Sequence, residues 1–528
     1  MSDDFDFHVK LIQGLLQPAA WSGSVVEIRH IETHISTVLL TGDYAYKIKK
    51  PVDLGFLDFS SLARRKHFCE EEIRLNGRLA PQIYLDVVPI TGTAEQPTMA
   101  GDGPIIEYAV RMKQFESDAL LSMHPDQLTV ERMDQLARIV ADFHGRIATT
   151  DLNQPFGTAQ TIFAPMEENF AQIRELLGLA DDHQRLDRLE RWSRAQLKSL
   201  QDVLAQRCSD GFIRECHGDM HLGNIALVDD QILIFDGIEF SPSLRWIDTI
   251  SEIAFLIMDL QEKGRSDLAQ RFLNSYLAIT GDYTGLELLR FYQAYRAMVR
   301  AKVDVIRLQQ SDLSPTDKEN VLDDYRTYLA QAEGYTHSVE PALIIAHGLS
   351  GSGKSTVITE LLGAFSAIQI RSDVERKRIA GIATDSSSGS DLYQGIYHPQ
   401  ATENTYEHLS KLAEIIIKAG YVAIVDATFL KHCYRHSFYG LAQQLAVPFL
   451  ILDFQVPEEM LRERIDQRLA EGGDPSEANQ DVLDAQLRNQ QPLTTEEQAL
   501  SIKITPERKV ELGEIKQYLK RQAAALNI

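Results

Sequence analysis

Eight residues constrain the architecture of this chain more than any other stretch: Gly348-Leu349-Ser350-Gly351-Ser352-Gly353-Lys354-Ser355. An apolar run, Ala342–Ala346, leads into them, and a helix-compatible run, Val357–Leu362, follows. Small residues here let successive backbone N–H groups curl into a cradle at a helix N-terminus, a place suited to an anion. The G-x-x-x-x-G-K-[ST] spacing adds an ammonium, Lys354, for phosphate oxygens and a hydroxyl, Ser355, for a magnesium ion. The candidate nucleotide-binding residues are therefore Gly348, Ser350, Gly351, Ser352, Gly353, Lys354, Ser355 and Thr356. Around this loop short apolar runs alternate with helical ones. Strands are predicted at Ala367–Ile370, Val422–Val425 and Phe449–Phe454, and a helix near Thr402–Ala419, which is the pattern of an α/β domain with a parallel sheet.

In such a sheet the strand C-termini line the ligand crevice. Asp426 ends the run Val422–Val425, where a carboxylate partner for magnesium belongs, and Ala427 follows it. A water-activating Glu would stand there in an ATPase motor, so its absence favours transfer to a bound acceptor. Asp373 ends another strand and is expected to accept a proton from an acceptor hydroxyl, with Arg376 holding an anionic group of that acceptor. The plainer alternative makes Asp373 a helix N-cap. Arg464 and Arg468, four apart, share a helix face before Gly472–Pro475. They are expected to close over the transferring phosphoryl group; the rival reading is a solvated basic face.

A chain of 528 residues exceeds one ordinary core. Helical periodicity stops near Glu333–Pro341, which sets the expected domains at 1–334 and 335–528. The first opens with strand signals: Thr37–Leu40, a Gly42-Asp43 turn, Tyr44–Ile48, then Ile83–Ile90 and Ile105–Met112. From Asp134 it becomes helical, with a short β interruption over Ile213–Asp236. The expected fold class is an α+β protein-kinase-like domain followed by an α/β P-loop NTPase domain.

That interruption carries chemistry. In Cys216-His217-Gly218-Asp219-Met220-His221-Leu222-Gly223-Asn224, an Asp stands five positions before an Asn. This is the spacing at which Asp219 positions or deprotonates an acceptor hydroxyl and Asn224 holds a metal. A hairpin turning at Asp229-Asp230 then delivers Asp236, a second metal carboxylate. His217, Asp219 and His221 are also candidate ligands of a different metal site.

Composition narrows the classes. A formal charge of −23 argues against a large nucleic-acid footprint. Four scattered cysteines (Cys69, Cys208, Cys216, Cys433) suit a reducing compartment, and the acidic N-terminus shows no signal peptide. Apolar runs are too short to span a bilayer. A cytoplasmic protein with no membrane partner is expected.

The segment Val25–Asp304 resembles the aminoglycoside phosphotransferase and choline kinase family, whose H-G-D-x-x-x-x-N signature stands at His217–Asn224. The resemblance implies a nucleotide-anchoring lysine, Lys47 with Lys49 close behind, and a carboxylate partner, Glu72. It also implies a connection beside the adenine at Glu107–Met112. No glycine loop precedes Lys47, so Glu32–Ser36 is expected to cover the phosphates with Ser and backbone groups. Ala342–Glu497 resembles the small P-loop kinases grouped with zeta toxins, gluconate kinases and polynucleotide 5′-kinases, including the S-D-x-x-R segment Ser372–Arg376. The domain order is similar to that of bacterial fusions of an aminoglycoside phosphotransferase-like and an ATP-binding domain. These likenesses imply ATP and Mg²⁺ at two sites, with small-molecule hydroxyl compounds as acceptors. The alternatives are a regulatory protein with one nucleotide-sensing domain, and a nucleic-acid 5′-hydroxyl kinase in the second domain.

Overall fold

The computed structural model describes residues 2–526 except 23–26, 56, 152, 179, 311–312, 338, 384–395, 397, 472–477 and 509–510. The serine-rich patch Ser386–Ser390 and the Gly472–Pro475 segment lie outside the described residues. The chain forms two compact units, Met1–Thr129 with Asp142–Asp259 and Tyr295–Leu329, and Val130–Ala141 with Leu260–Ala294 and Ala330–Ile528. The second unit thus takes in two segments that precede the expected linker.

In the first unit, helix α1 (Ser2–Leu15) precedes three strands, β1 (Arg29–Glu32), β2 (Ser36–Leu40) and β3 (Tyr44–Lys49). Helix α2 (Leu62–Asn76) is followed by β4 (Tyr84–Gly92), β5 (Pro97–Met99) and β6 (Ile105–Lys113). The strands form one antiparallel sheet in the order β1-β2-β3-β6-β4-β5. Strand alternation sends Leu39, Ile48, Ile90 and Ala109 against Leu11 and Leu15 of α1. Val110 instead packs with Cys69 of α2 and with Leu233. Ser61 caps α2 by accepting the Arg64 N–H. Glu107–Met112, expected at a connection, lie inside β6 and pair with β3 or β4 over that stretch. Two small ribbons follow: β7 (Ile213–Glu215) with β10 (Trp246–Asp248), and β8 (Ile225–Val228) with β9 (Gln231–Ile234). Asp229 and Asp230 both take positive φ (50° and 59°), as a two-residue hairpin of this hand requires.

In the second unit, β11 (Leu343–His347), β12 (Ala367–Arg371), β13 (Val422–Asp426), β14 (Phe449–Phe454) and β15 (Ser501–Ile504) form a parallel sheet in the order β12-β13-β11-β14-β15. Ile344, Ala346, Ile424, Leu450 and Leu452 bury one face against Ile358, Leu361 and Leu362 of the helix Lys354–Phe365. The edge of β12 is closed by a side chain: Asn274 Nδ2 donates to Ala367 O at 3.0 Å, and the Gln369 N–H donates to Asn274 Oδ1 at 2.7 Å. The helix Ser266–Thr280, which supplies Asn274, is what brings the earlier segment into this unit.

Candidate functional site

In the first unit, Lys47 and Lys49 are two apart on β3 and so share a face. Lys47 Nζ lies 2.9 Å from Glu72 Oε1 and 2.6 Å from Asp236 Oδ1. Lys49 Nζ lies 2.7 Å from Glu72 Oε2 and also binds Glu239. Burial works against both ammoniums, yet the carboxylates hold both above their ordinary values. Burial also opposes the charge on Glu72, but two flanking ammoniums hold its carboxyl low. Glu239, buried and repelled by Glu72, is pushed up. Lys47 and Glu72 meet as expected; Lys49 and Glu239 form the rear of the same network. The lysine alternation was a readable signal for Lys49, whereas nothing in the sequence marks Glu239.

Asn224 Nδ2 donates to Asp219 O at 2.9 Å and to Asp219 Oδ2 at 3.0 Å, so the five-residue spacing closes a loop on itself. Burial disfavours the Asp219 charge, but His221, His217 and Arg296 more than offset it and hold the carboxyl well below its usual range. So weak a base suits holding a hydroxyl in line more than removing its proton early. The loop is anchored from beneath. The His217 and Gly218 N–H groups donate to Glu252 at 3.1 and 2.6 Å, and Leu222 N–H donates to Asp259 at 2.8 Å. His144 Nε2 stands 3.0 Å from Glu252, whose burial cost is outweighed by these partners, bringing its carboxyl down to about 2. Arg296 also donates to Gly218 O. His217 is no metal ligand here: Nε2 donates to Phe235 O at 2.9 Å and Nδ1 accepts the Asp219 N–H. Among the described residues, His144, Cys216 and Glu252 are close enough to share an ion, but the Glu252 oxygens are already taken by the loop amides and His144. Ser36, expected over the phosphates, is fully buried and offers no hydroxyl to a cleft.

In the second unit, Gly351 and Gly353 take φ of 81° and 83°, and a Cβ on Gly351 would sit 2.8 Å from Leu461 O. Only glycine fits that close, left-handed turn. Lys354 Nζ donates to Gly348 O and Leu349 O at 3.1 and 2.8 Å, and Ser355 Oγ donates to Asp426 Oδ2 at 2.7 Å. Burial lowers the Lys354 ammonium to about 8, with Asp426 and Asp373 opposing that shift. Burial likewise raises the Asp426 carboxyl. Gln369 Nε2 donates to the same Asp426 oxygen at 2.9 Å, and Gln486 bridges the Ser350 N–H (2.9 Å) and Oγ (3.0 Å). Neither glutamine was anticipated; strand alternation on β12 was the available signal for Gln369, and Gln486 had none.

These groups open on a cleft of about 1050 Å³ that also reaches Asp373, Arg376, Arg464 and Arg468. Arg371 clasps Asp373 with contacts of 2.9 and 3.3 Å. The helix there begins at Ser372 with Arg371 in the capping position, so Asp373 is not the N-cap. Arg376 donates to Ile396 O and Thr402 Oγ1, and Arg464 to Gly351 O at 3.4 Å. Arg468 donates to Ala478 O.

Residues 343–493 match the AAA domain family model. The uncharacterized protein Rv2004c of Mycobacterium tuberculosis is 30% identical over 399 residues, 75% of this chain and 78% of that protein. This chain belongs to the same family as Rv2004c. Among solved structures, a gluconokinase from Sinorhizobium meliloti is 20% identical, over 36% of this chain and 94% of its own, with a TM-score of 0.25. A choline/ethanolamine kinase family protein from Mesorhizobium loti is 12% identical, over 62% and 98%, with a TM-score of 0.36. The AAA domain match spans the Gly348–Ser355 loop and strands β11 to β14 of the parallel sheet. Among the described residues, no helix of this family member is long and apolar enough to cross a membrane.

Proposed function

We propose that this chain is a kinase with two ATP sites, each transferring the γ-phosphoryl group to a hydroxyl of a small molecule. One observation carries the reading: each unit brings a buried or half-buried lysine and acidic side chains from distant segments to one place. In the first, Lys47 meets Glu72 and Asp236 beside the Asp219–Asn224 loop. In the second, Lys354 and Ser355 meet Asp426 at the head of a cleft that holds Asp373.

The donor sets fit the cosubstrate. The amides of Gly351–Thr356 and the Lys354 ammonium suit a polyphosphate, with Arg464 and Arg468 over its transferring end. Lys47, braced by Glu72, suits the phosphates of the first site. Mg²⁺, which Asn224 and Asp236 would hold in one unit and Ser355 and Asp426 in the other, supplies neutralisation of phosphate charge. Asp219 and Asp373 align the acceptor hydroxyls; Arg371 must share Asp373 with the acceptor, and Arg376 suits an anionic group on it. Scattered free cysteines support a cytoplasmic setting, and the net charge of −23 speaks against nucleic-acid acceptors.

The test is transfer from γ-labelled ATP to a library of hydroxylated metabolites, using the native chain, Asp219→Asn and Lys354→Ala. Each substitution is expected to remove one set of products and spare the other. If neither lowers any transfer, the reading fails. A nucleotide-sensing first unit is the second reading, favoured by the buried Ser36 and the missing glycine loop. Binding of ATP by that unit with no product dependent on Asp219 would decide for it.

A further inference from the structure

Asp236 is one of seven described non-glycine residues with positive φ, here 60°. That left-handed conformation crowds the Cβ of an L-residue and is uncommon outside glycine and a few turn residues. It persists only where the surroundings over-determine it. Two side chains from remote parts of the first unit supply that determination. The Asp236 N–H donates to the Tyr84 hydroxyl at 3.0 Å, and the next N–H, of Gly237, donates to Asn76 Oδ1 at 2.7 Å.

Both acceptors are themselves fixed. Tyr84 is 5% exposed and packs with Cys69, Ile83 and Val110. It stands where β4 bulges, between Tyr84 and Asp86, and a bulge re-aims the side chain beside it. Asn76 is 1% exposed, and its Nδ2 donates to Glu72 O at 3.0 Å, which leaves Oδ1 pointing at Gly237. Asn76 is four residues after Glu72, so one face of α2 delivers both the partner of Lys47 and the brace of the Asp236 turn. The flanking backbone is also occupied: Phe235 O accepts from His217 Nε2, and Ile238 N–H donates to His217 O. Among the described residues, Tyr84 and Asn76 alone act on the two amides that bracket the Asp236 carboxylate.

We propose that Tyr84 and Asn76 are positioning residues that lock Asp236 in its left-handed conformation and so aim its carboxylate at the metal of the first nucleotide site. The inference rests on the nucleotide reading of that site. Without the clamp, Asp236 relaxes toward ordinary φ and its carboxylate leaves both the metal position and Lys47, 2.6 Å away, while Lys47 keeps its Glu72 partner. The clamp therefore governs dependence on Mg²⁺, and its loss does not lower the metal-free affinity for ATP, because the Lys47 ammonium stays in place with one carboxylate fewer beside it.

The test uses the full chain with Lys354→Ala, so that only the first site binds nucleotide. Tyr84→Phe removes a single oxygen and Asn76→Ala removes the second acceptor. ATP binding is measured calorimetrically across a Mg²⁺ titration and again in EDTA, and amide hydrogen exchange is followed over 235–238. Each substitution is expected to raise the half-saturating Mg²⁺ concentration about tenfold, the scale of one lost hydrogen bond to a buried amide. The EDTA affinity should not fall, and exchange at Asp236 and Gly237 should accelerate by at least the same factor. Unchanged exchange overturns the clamp, whatever the nucleotide results. Faster exchange with unchanged Mg²⁺ dependence overturns its role toward the metal, as does an equal loss of affinity with and without metal, which marks a merely structural effect. No ATP binding by the Lys354→Ala parent overturns the nucleotide reading itself, and the metal role with it.

Discussion

The Lys354 ammonium makes nucleotide binding at the second unit a function of pH in a window where few other groups titrate. Burial lowers it to about 8, against the opposing pull of Asp426 and Asp373 and with Arg468 adding to the lowering. A polyphosphate beside it favours the charged form, so its value in the complex lies higher. The sign follows from that difference. Affinity is full below about pH 8, where the free protein already carries the proton, and falls as pH rises toward the value in the complex. With 8 for the free state, the dissociation constant grows by about tenfold between pH 7 and pH 9, or about 1.4 kcal/mol. At pH 8 binding takes up about half a proton per nucleotide. Calorimetry with ADP in two buffers of different ionisation enthalpy measures both quantities, because a terminal phosphate is mostly doubly charged through this range. The chain would carry Lys47→Ala to silence the first site. Lys354→Arg is the control, since a guanidinium stays charged throughout. An affinity flat from pH 7 to 9, or a slope that survives in Lys354→Arg, refutes the argument.

Asp219→Asn should lower transfer from the first site by about 10²-fold or more with little change in ATP affinity, given the proposed place of Asp219 beside the acceptor; single-turnover assays separate the two. Glu252 sits near 2 when folded against an ordinary 4.5. A depressed carboxyl gives stability that is present above its unfolded value and lost as pH falls from about 5 toward 2, here about 3 kcal/mol. Glu252→Gln should remove about that much and flatten the acid limb of a denaturation curve. Asn274→Leu should destabilise the second unit by about 2 kcal/mol by leaving Ala367 O and the Gln369 N–H unpaired, as read by urea unfolding. Gln369→Leu should spare stability more than Asn274→Leu but weaken Mg²⁺-dependent ADP binding several-fold, since Gln369 steadies Asp426.

Much of this protein was readable from local pattern. The glycine-bounded loop at Gly348–Ser355, the strand before it, the helix after it and the Asp219–Asn224 spacing are decided within a dozen residues by backbone conformation and hydrogen-bond reach, so sequence alone determined them. The strands at 36–40, 44–49 and 449–454 followed from alternation or apolar runs for the same reason. Tertiary structure decided what depends on contact across long separations. It brought Asn274 to the edge of β12, 95 residues away from Gln369, and with it a segment that precedes the expected linker. It buried Ser36, joined Lys49 to Glu239 across 190 positions, and set Tyr84 and Asn76 on either side of Asp236. A polar side chain carries no local mark of the partner it will meet; burial and the packing of distant elements select that partner.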